Sequence, residues 1–155
     1  MKTTTLTLVA TAMAAATMAL PATAHGAESR QTFQSPSGNI QCVLETDERN
    51  TPIALCQIPT KSFTVPVGSG RNEMGQPCPD GSGSGNDFRL DAGQPGFVRC
   101  SFAALGGGVG PWPTLEYGQS RSLGAITCTS QTTGMTCADS GGHFFQVSRD
   151  SYAVG

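Results

Sequence analysis

The chain has 155 residues, nine Lys/Arg against eleven Asp/Glu, and only 13% charged side chains. That length suits one ordinary domain. The slightly acidic balance, with scattered arginines and no basic run, argues against a polyanion-binding surface and against a nucleic-acid partner. Glycine (20) and proline (10) are abundant and large apolar residues few, so the core must be thin and no helix of any length is expected after the leader.

The first 24 residues have the three parts of a secretory signal. Lys2 supplies the positive start, Leu6 to Leu20 is uncharged and apolar or small, and Ala22-Thr23-Ala24 follows the helix-breaking Pro21. The run is too short and too rich in Ala and Thr for a membrane anchor, and no Cys lies near the cut, which argues against a lipoprotein. The expectation is a signal peptide at 1–24, a flexible leader at 25–31 and a single secreted or periplasmic domain at 32–155, with no membrane span after cleavage.

All six cysteines (42, 56, 78, 100, 128 and 137) fall in that mature part. An even count in an exported chain reads as a disulfide framework. With no C-x-x-C pair, and only His25 and His143 as histidines, a closed zinc site has little support. Each bridge contributes ~2–4 kcal/mol, a large share of a domain's usual net stability of ~5–15 kcal/mol.

In chain order, Ser35-Pro36-Ser37-Gly38-Asn39 is a turn by its composition. Residues 39–45 and 53–58 are β-branched apolar runs separated by a polar stretch, a hairpin signature. Residues 66–96 hold eight glycines and four prolines and read as irregular but pinned. A middle strand follows at 97–102, then a second irregular connection through Gly106-Gly107-Gly108 and Pro111-Trp112-Pro113. The second hairpin runs from 123–130 through a Gln131–Gly134 turn into Met135-Thr136-Cys137. A strand over 143–147 comes next, and residues 148–152 form either a helical turn capped by Ser148 or a last edge strand. The expected fold class is all-β: a small disulfide-stapled antiparallel domain built on two Cys-bridged hairpins with long irregular loops.

The two hairpins share G-x-I-x-C, as Gly38 to Cys42 and Gly124 to Cys128. Each is followed by F-x-V, as Phe63 with Val65 and Phe145 with Val147. Cys128 and Cys137 are symmetric about Thr132-Thr133, which sets them opposite each other across the turn, close enough to bridge. By analogy Cys42 pairs with Cys56, leaving Cys78 for Cys100.

The run Phe33-Gln34-Ser35-Pro36-Ser37-Gly38-Asn39-Ile40-Gln41-Cys42 resembles the opening signature of an exported bacterial domain family of unknown function. Leu115-Glu116-Tyr117-Gly118, Gly124 to Cys128, Thr136-Cys137, Gly142-His143-Phe144 and Ser148-Arg149-Asp150-Ser151-Tyr152 resemble its closing segment. The resemblance covers roughly 32–152 and departs most at the Gly/Ser run 81–85. It implies a small secreted β domain and brings no catalytic residues with it.

Chemistry has few places to sit. Cleavage after Ala24 would make His25 the first residue, and its amine and imidazole, with His143, could ligate copper. Asp80, Ser82, Ser84, Gly85 and Asp91 loosely follow a calcium loop, but Asp87 stands where an apolar residue belongs. A hydrolytic triad would need His143 with Ser140 or Ser148 and Asp139 or Asp150, and no nucleophile elbow is present. The larger class is binding, of a protein or cell-envelope component, by a non-enzymatic domain. Trp112, Tyr117, Phe144, Arg149 and Tyr152 are its candidate contacts. Trp112 reads more as a core plug than as an exposed anchor. A copper protein or a small secreted hydrolase is the alternative.

Overall fold

The computed structural model describes residues 30–79, 83, 85–101, 103–105 and 112–155. Ten strands make two antiparallel five-stranded sheets, with no helix among the described residues. The first sheet is β1 (Arg30–Gln34), β2 (Gln41–Thr46), β3 (Pro52–Gln57), β4 (Asp87–Asp91) and β5 (Phe97–Arg99). The second is β6 (Ser120–Leu123), β7 (Ile126–Gln131), β8 (Gly134–Asp139), β9 (Phe144–Val147) and β10 (Tyr152–Val154). Spatial order follows chain order in both, so each sheet is a simple meander.

Both hairpins form where the β-branched runs stand. Strands β1, β4 and β6 lie outside the strands expected from sequence. β1 begins at Arg30, inside the stretch assigned to the leader, and β4 lies inside the stretch read as irregular. The middle strand is shorter than the 97–102 run, ending at Arg99. After β9, Ser148 Oγ accepts from the backbone N–H of Asp150 (3.3 Å) and Ser151 (3.1 Å), and the chain then enters β10. The edge strand therefore forms, at Tyr152–Val154, whereas residues 149–150 make a bend held by Ser148 and no helical turn.

The three bridges join Cys42 to Cys56, Cys78 to Cys100 and Cys128 to Cys137. Cys42 faces Cys56 across β2 and β3, and Cys128 faces Cys137 across β7 and β8, with Cα atoms 4.1 and 4.0 Å apart. These separations suit facing positions without a backbone hydrogen bond between them. The repeat extends further, by a different residue from the one the F-x-V pattern suggests. Phe145 in β9 faces Cys137, and the residue facing Cys56 is Phe88 in β4. Phe63 and Val65 belong to no strand and only pack against the core. Their resemblance to Phe145 and Val147 is one of composition, because a strand's partner is set by register and not by distance along the chain.

The sheets pack face to face over a single core in which Phe33, Phe88, Phe145, Leu44, Leu90, Ile126 and Met135 are fully or almost fully buried. At its centre the two hairpin bridges touch, Cys56 Sγ lying 3.9 Å from Cys137 Sγ. Neither sulfur carries a proton, so this is a dispersion contact. Phe88 reaches Phe145 at 6.1 Å between ring centroids, and Tyr152 and Phe63 close the margin at 5.5 and 6.2 Å from Phe88.

The outer faces differ. On the first sheet, Arg89 pairs with Asp91 (2.7 Å) and Glu73 (3.6 Å), and Arg99 pairs with Glu73 (2.6 Å) and the buried Asp87 (3.4 Å). Burial removes the Asp87 carboxylate from water and raises its pKa. Among the described residues the outer face of the second sheet has no charged side chain, because alternation turns Arg121 inward opposite Cys128. Its residues stand in two cross-strand rows, Ser120–Thr129–Thr136–Gln146 and Ser122–Thr127–Ala138–Phe144. The Ser120–Thr129 and Ser122–Thr127 hydroxyls pair at 2.8 Å each.

Candidate functional site

A groove opens at one end of the sandwich, where two turns distant in sequence come together. In the first turn, Ser35 N–H donates to the Ile40 carbonyl (2.8 Å), while Ile40 N–H donates to Ser35 Oγ (3.1 Å). Gly38 sits at φ +72°, a conformation that costs a side-chain-bearing residue energy. The second is the Ser148–Ser151 turn between β9 and β10. Residues 59–62 tie the two together. Asn39 donates its side-chain amide to the Thr60 carbonyl (2.8 Å) and accepts from Thr60 N–H (3.1 Å). Ser62 N–H donates to the Arg149 carbonyl (2.8 Å), and its hydroxyl donates to Asp150 (2.9 Å).

Arg149 lines both halves of the groove. One half is a pocket of about 140 Å³ walled by Ser35, Ser37, Tyr117, Gln131, Thr132 and Ser148. The other is an open cleft of about 540 Å³ along Gly38, Asn39, Pro59 and Thr60. The guanidinium donates to Asp150 through Nε (3.0 Å) and Nη2 (3.3 Å). That carboxylate holds the Arg149 pKa above its ordinary value, and Arg149 lowers that of Asp150. Nη1 has no partner among the described residues. Tyr117 is half exposed, at 50%, on a turn anchored by the buried Leu115, whose N–H donates to the Gln34 carbonyl (2.8 Å).

A larger cleft, about 780 Å³, lies beside the first sheet between Asp47, Arg49, Glu73, Arg89 and Asp91. Its polar groups are mostly engaged. Arg89 is held by Asp91 and Glu73, and Asp47 Oδ1 accepts from Arg49 N–H (2.9 Å) and Thr51 N–H (2.7 Å). In the groove Ser35, Ser37, Asn39 and Ser148 are likewise engaged, within their turns or with Thr60. Among the described residues, however, the Tyr117 and Thr132 hydroxyls, the Gln131 amide and Arg149 Nη1 have no partner, which makes the groove the better candidate for a binding site.

Of the residues singled out in the sequence, Tyr117 and Arg149 meet in this groove. Tyr152 is committed to the core margin through Phe63 (5.1 Å) and Phe88. Phe144 stands half-buried on the outer face of the second sheet, with Phe145 and Val147 turned inward. Trp112 is half-buried and is not part of the core cluster. Ser37, Asn39, Gln131 and Thr132 were not singled out. The turn composition of 35–39 and 131–134 was the only signal available for them.

His143 is tied to Asp139. Asp139 accepts from the backbone N–H of Gly93 (2.7 Å), Gly141 (2.8 Å) and His143 (3.0 Å), and its Oδ2 lies 3.1 Å from His143 Nδ1. These donors, Gly93 N–H foremost, hold its pKa down at about 2. Gly93 belongs to the β4–β5 turn, so one carboxylate closes its own turn and fastens the two sheets. Every hydrogen bond of His143 among the described residues goes to Asp139. Ser148 and Asp150, the more distant triad candidates, are engaged in the groove turn. His25 lies outside the described residues, as do Asp80, Ser82 and Ser84 of the calcium loop. Asp91 of that loop is paired with Arg89.

A model of a family of unknown function, DUF6636, matches residues 12–154. The chain belongs to this family. No curated protein and no solved structure matches it. For this DUF6636 member, three disulfides among so few apolar residues point to an oxidising compartment.

Proposed function

We propose that the chain is an exported, non-enzymatic recognition domain, secreted or periplasmic, that holds a protein or cell-envelope component in the Tyr117–Arg149 groove. The observation that carries this reading is a convergence. Ser35–Asn39 and Ser148–Asp150 are 109 positions apart at their nearest, yet residues 59–62 tie both to one rim. Rigid turns on a cross-linked β scaffold present polar contacts with little ordering cost on binding. Export is read from Lys2, the Leu6–Leu20 run and Ala22-Thr23-Ala24, and agrees with the bridges.

The test is retention of the oxidised protein on envelope or secreted material, with Tyr117→Ala and Arg149→Ala in parallel. Saturable retention that both variants lose supports the groove. Retention no better than that of denatured protein, or unchanged in both variants, contradicts it.

A further inference from the structure

We infer that the groove binds a neutral sugar unit and that the uncharged outer face of the second sheet carries the adjoining units of the same polysaccharide; this rests on the binding reading above. Three features favour a polyol. Among the described residues Arg149 is the only charged one lining the groove, and Asp150 already offsets it through one edge of the guanidinium. What remains is the Nη1 edge of an exposed guanidinium whose charge Asp150 partly offsets, able to donate to a neutral oxygen acceptor. Of its other lining groups, the Tyr117 and Thr132 hydroxyls and the Gln131 amide have no partner among the described residues, and such groups exchange hydrogen bonds with sugar hydroxyls. The half-exposed Tyr117 ring adds an apolar plate beside a polar wall, against which the C–H face of a sugar ring can pack.

The second sheet supplies an independent observation. Gln131 and Gly134 line the pocket and are also the last facing pair of β7 and β8. The groove therefore abuts the end of the hairpin whose outer face carries the two Ser/Thr rows. Adjacent strands lie ~4.8 Å apart, and alternate residues along a strand ~6.7 Å apart. The rows thus repeat at regular spacing, their paired Ser120–Thr129 and Ser122–Thr127 hydroxyls keep acceptor capacity, and no charge stands among them to reject a neutral chain. Phe144, half-buried at the far end of one row, adds a second aromatic edge.

The experiment is affinity electrophoresis and calorimetry of the oxidised full domain against a soluble β-glucan, a mannan and a galactan, with polygalacturonate as the acidic arm. The expected result is saturable binding to a neutral polymer, weakened about tenfold or more by Tyr117→Ala or Arg149→Ala with unchanged melting temperature. Thr127→Lys, at an exposed position in the Ser/Thr rows, should weaken the polymer but leave a disaccharide unaffected. Preference for polygalacturonate, failure to bind all three neutral polymers, or binding indifferent to Tyr117 and Arg149 overturns the inference. If envelope retention stays groove-dependent while no neutral saccharide competes, the sugar assignment fails and the binding reading survives. If retention itself is absent, both fail.

Discussion

The two meanders make the same connection, third strand to fourth, at very different lengths. The first uses residues 58–86 and the second residues 140–143. The long connection is held covalently by Cys78–Cys100, with Glu73 reaching Arg89 and Arg99. The short one is held by the single carboxylate of Asp139. Closing a loop costs entropy that grows with its length, so a stronger fastener where the loop is long is what chain statistics call for. Their centres are alike, each a bridged strand pair with a phenylalanine facing the second cysteine. Their outer faces diverge into an ion-paired one and a hydroxylated one.

The equivalence of the centres is the most demanding part of that comparison. Phe88→Ala and Phe145→Ala should each cost ~3–5 kcal/mol in denaturant unfolding, as truncations of fully buried aromatics do. The two values should agree to within about 1 kcal/mol. A variant that unfolds like the parent at either site would break the equivalence.

Replacing Cys78 and Cys100 together by Ser should cost ~3 kcal/mol, the entropy of a closed loop with a sequence separation of 22. Limited proteolysis should then cut first near 69–79 while both sheets persist. Cleavage beginning inside the second sheet would show that the bridge supports more than its own loop.

Asp139→Asn tests the electrostatic fastener, and its effect should be the smallest of the three. A carboxylate lowered from 3.8 to about 2 stabilises the fold above pH ~4, and that contribution is lost as pH falls through about 2. The variant should melt below the parent at neutral pH, with the gap closing between pH ~4 and ~2. A gap independent of pH would mean that packing, and not charge, holds the turn.

The hairpins were legible in the sequence because their strands carry unbroken β-branched and apolar residues beside cysteines. β4 was not. Asp87-Phe88-Arg89-Leu90-Asp91 alternates as a strand should, yet it lies among glycines and serines that read as loop. β1 and β6 are edge strands, each with a single large apolar residue, Phe33 and Leu123, so periodicity had little to register. In the groove, Tyr117 and Arg149 could be singled out by side-chain type. Asn39 could not, since its role depends on Thr60 arriving 21 positions later.

Bridge mapping by mass spectrometry of the natively purified, unreduced protein tests the shared architecture most directly. The two-meander account requires cross-linked peptides joining Cys42 to Cys56, Cys78 to Cys100 and Cys128 to Cys137, with no free thiol. A peptide joining Cys56 to Cys137, or six free thiols in folded material, would contradict it.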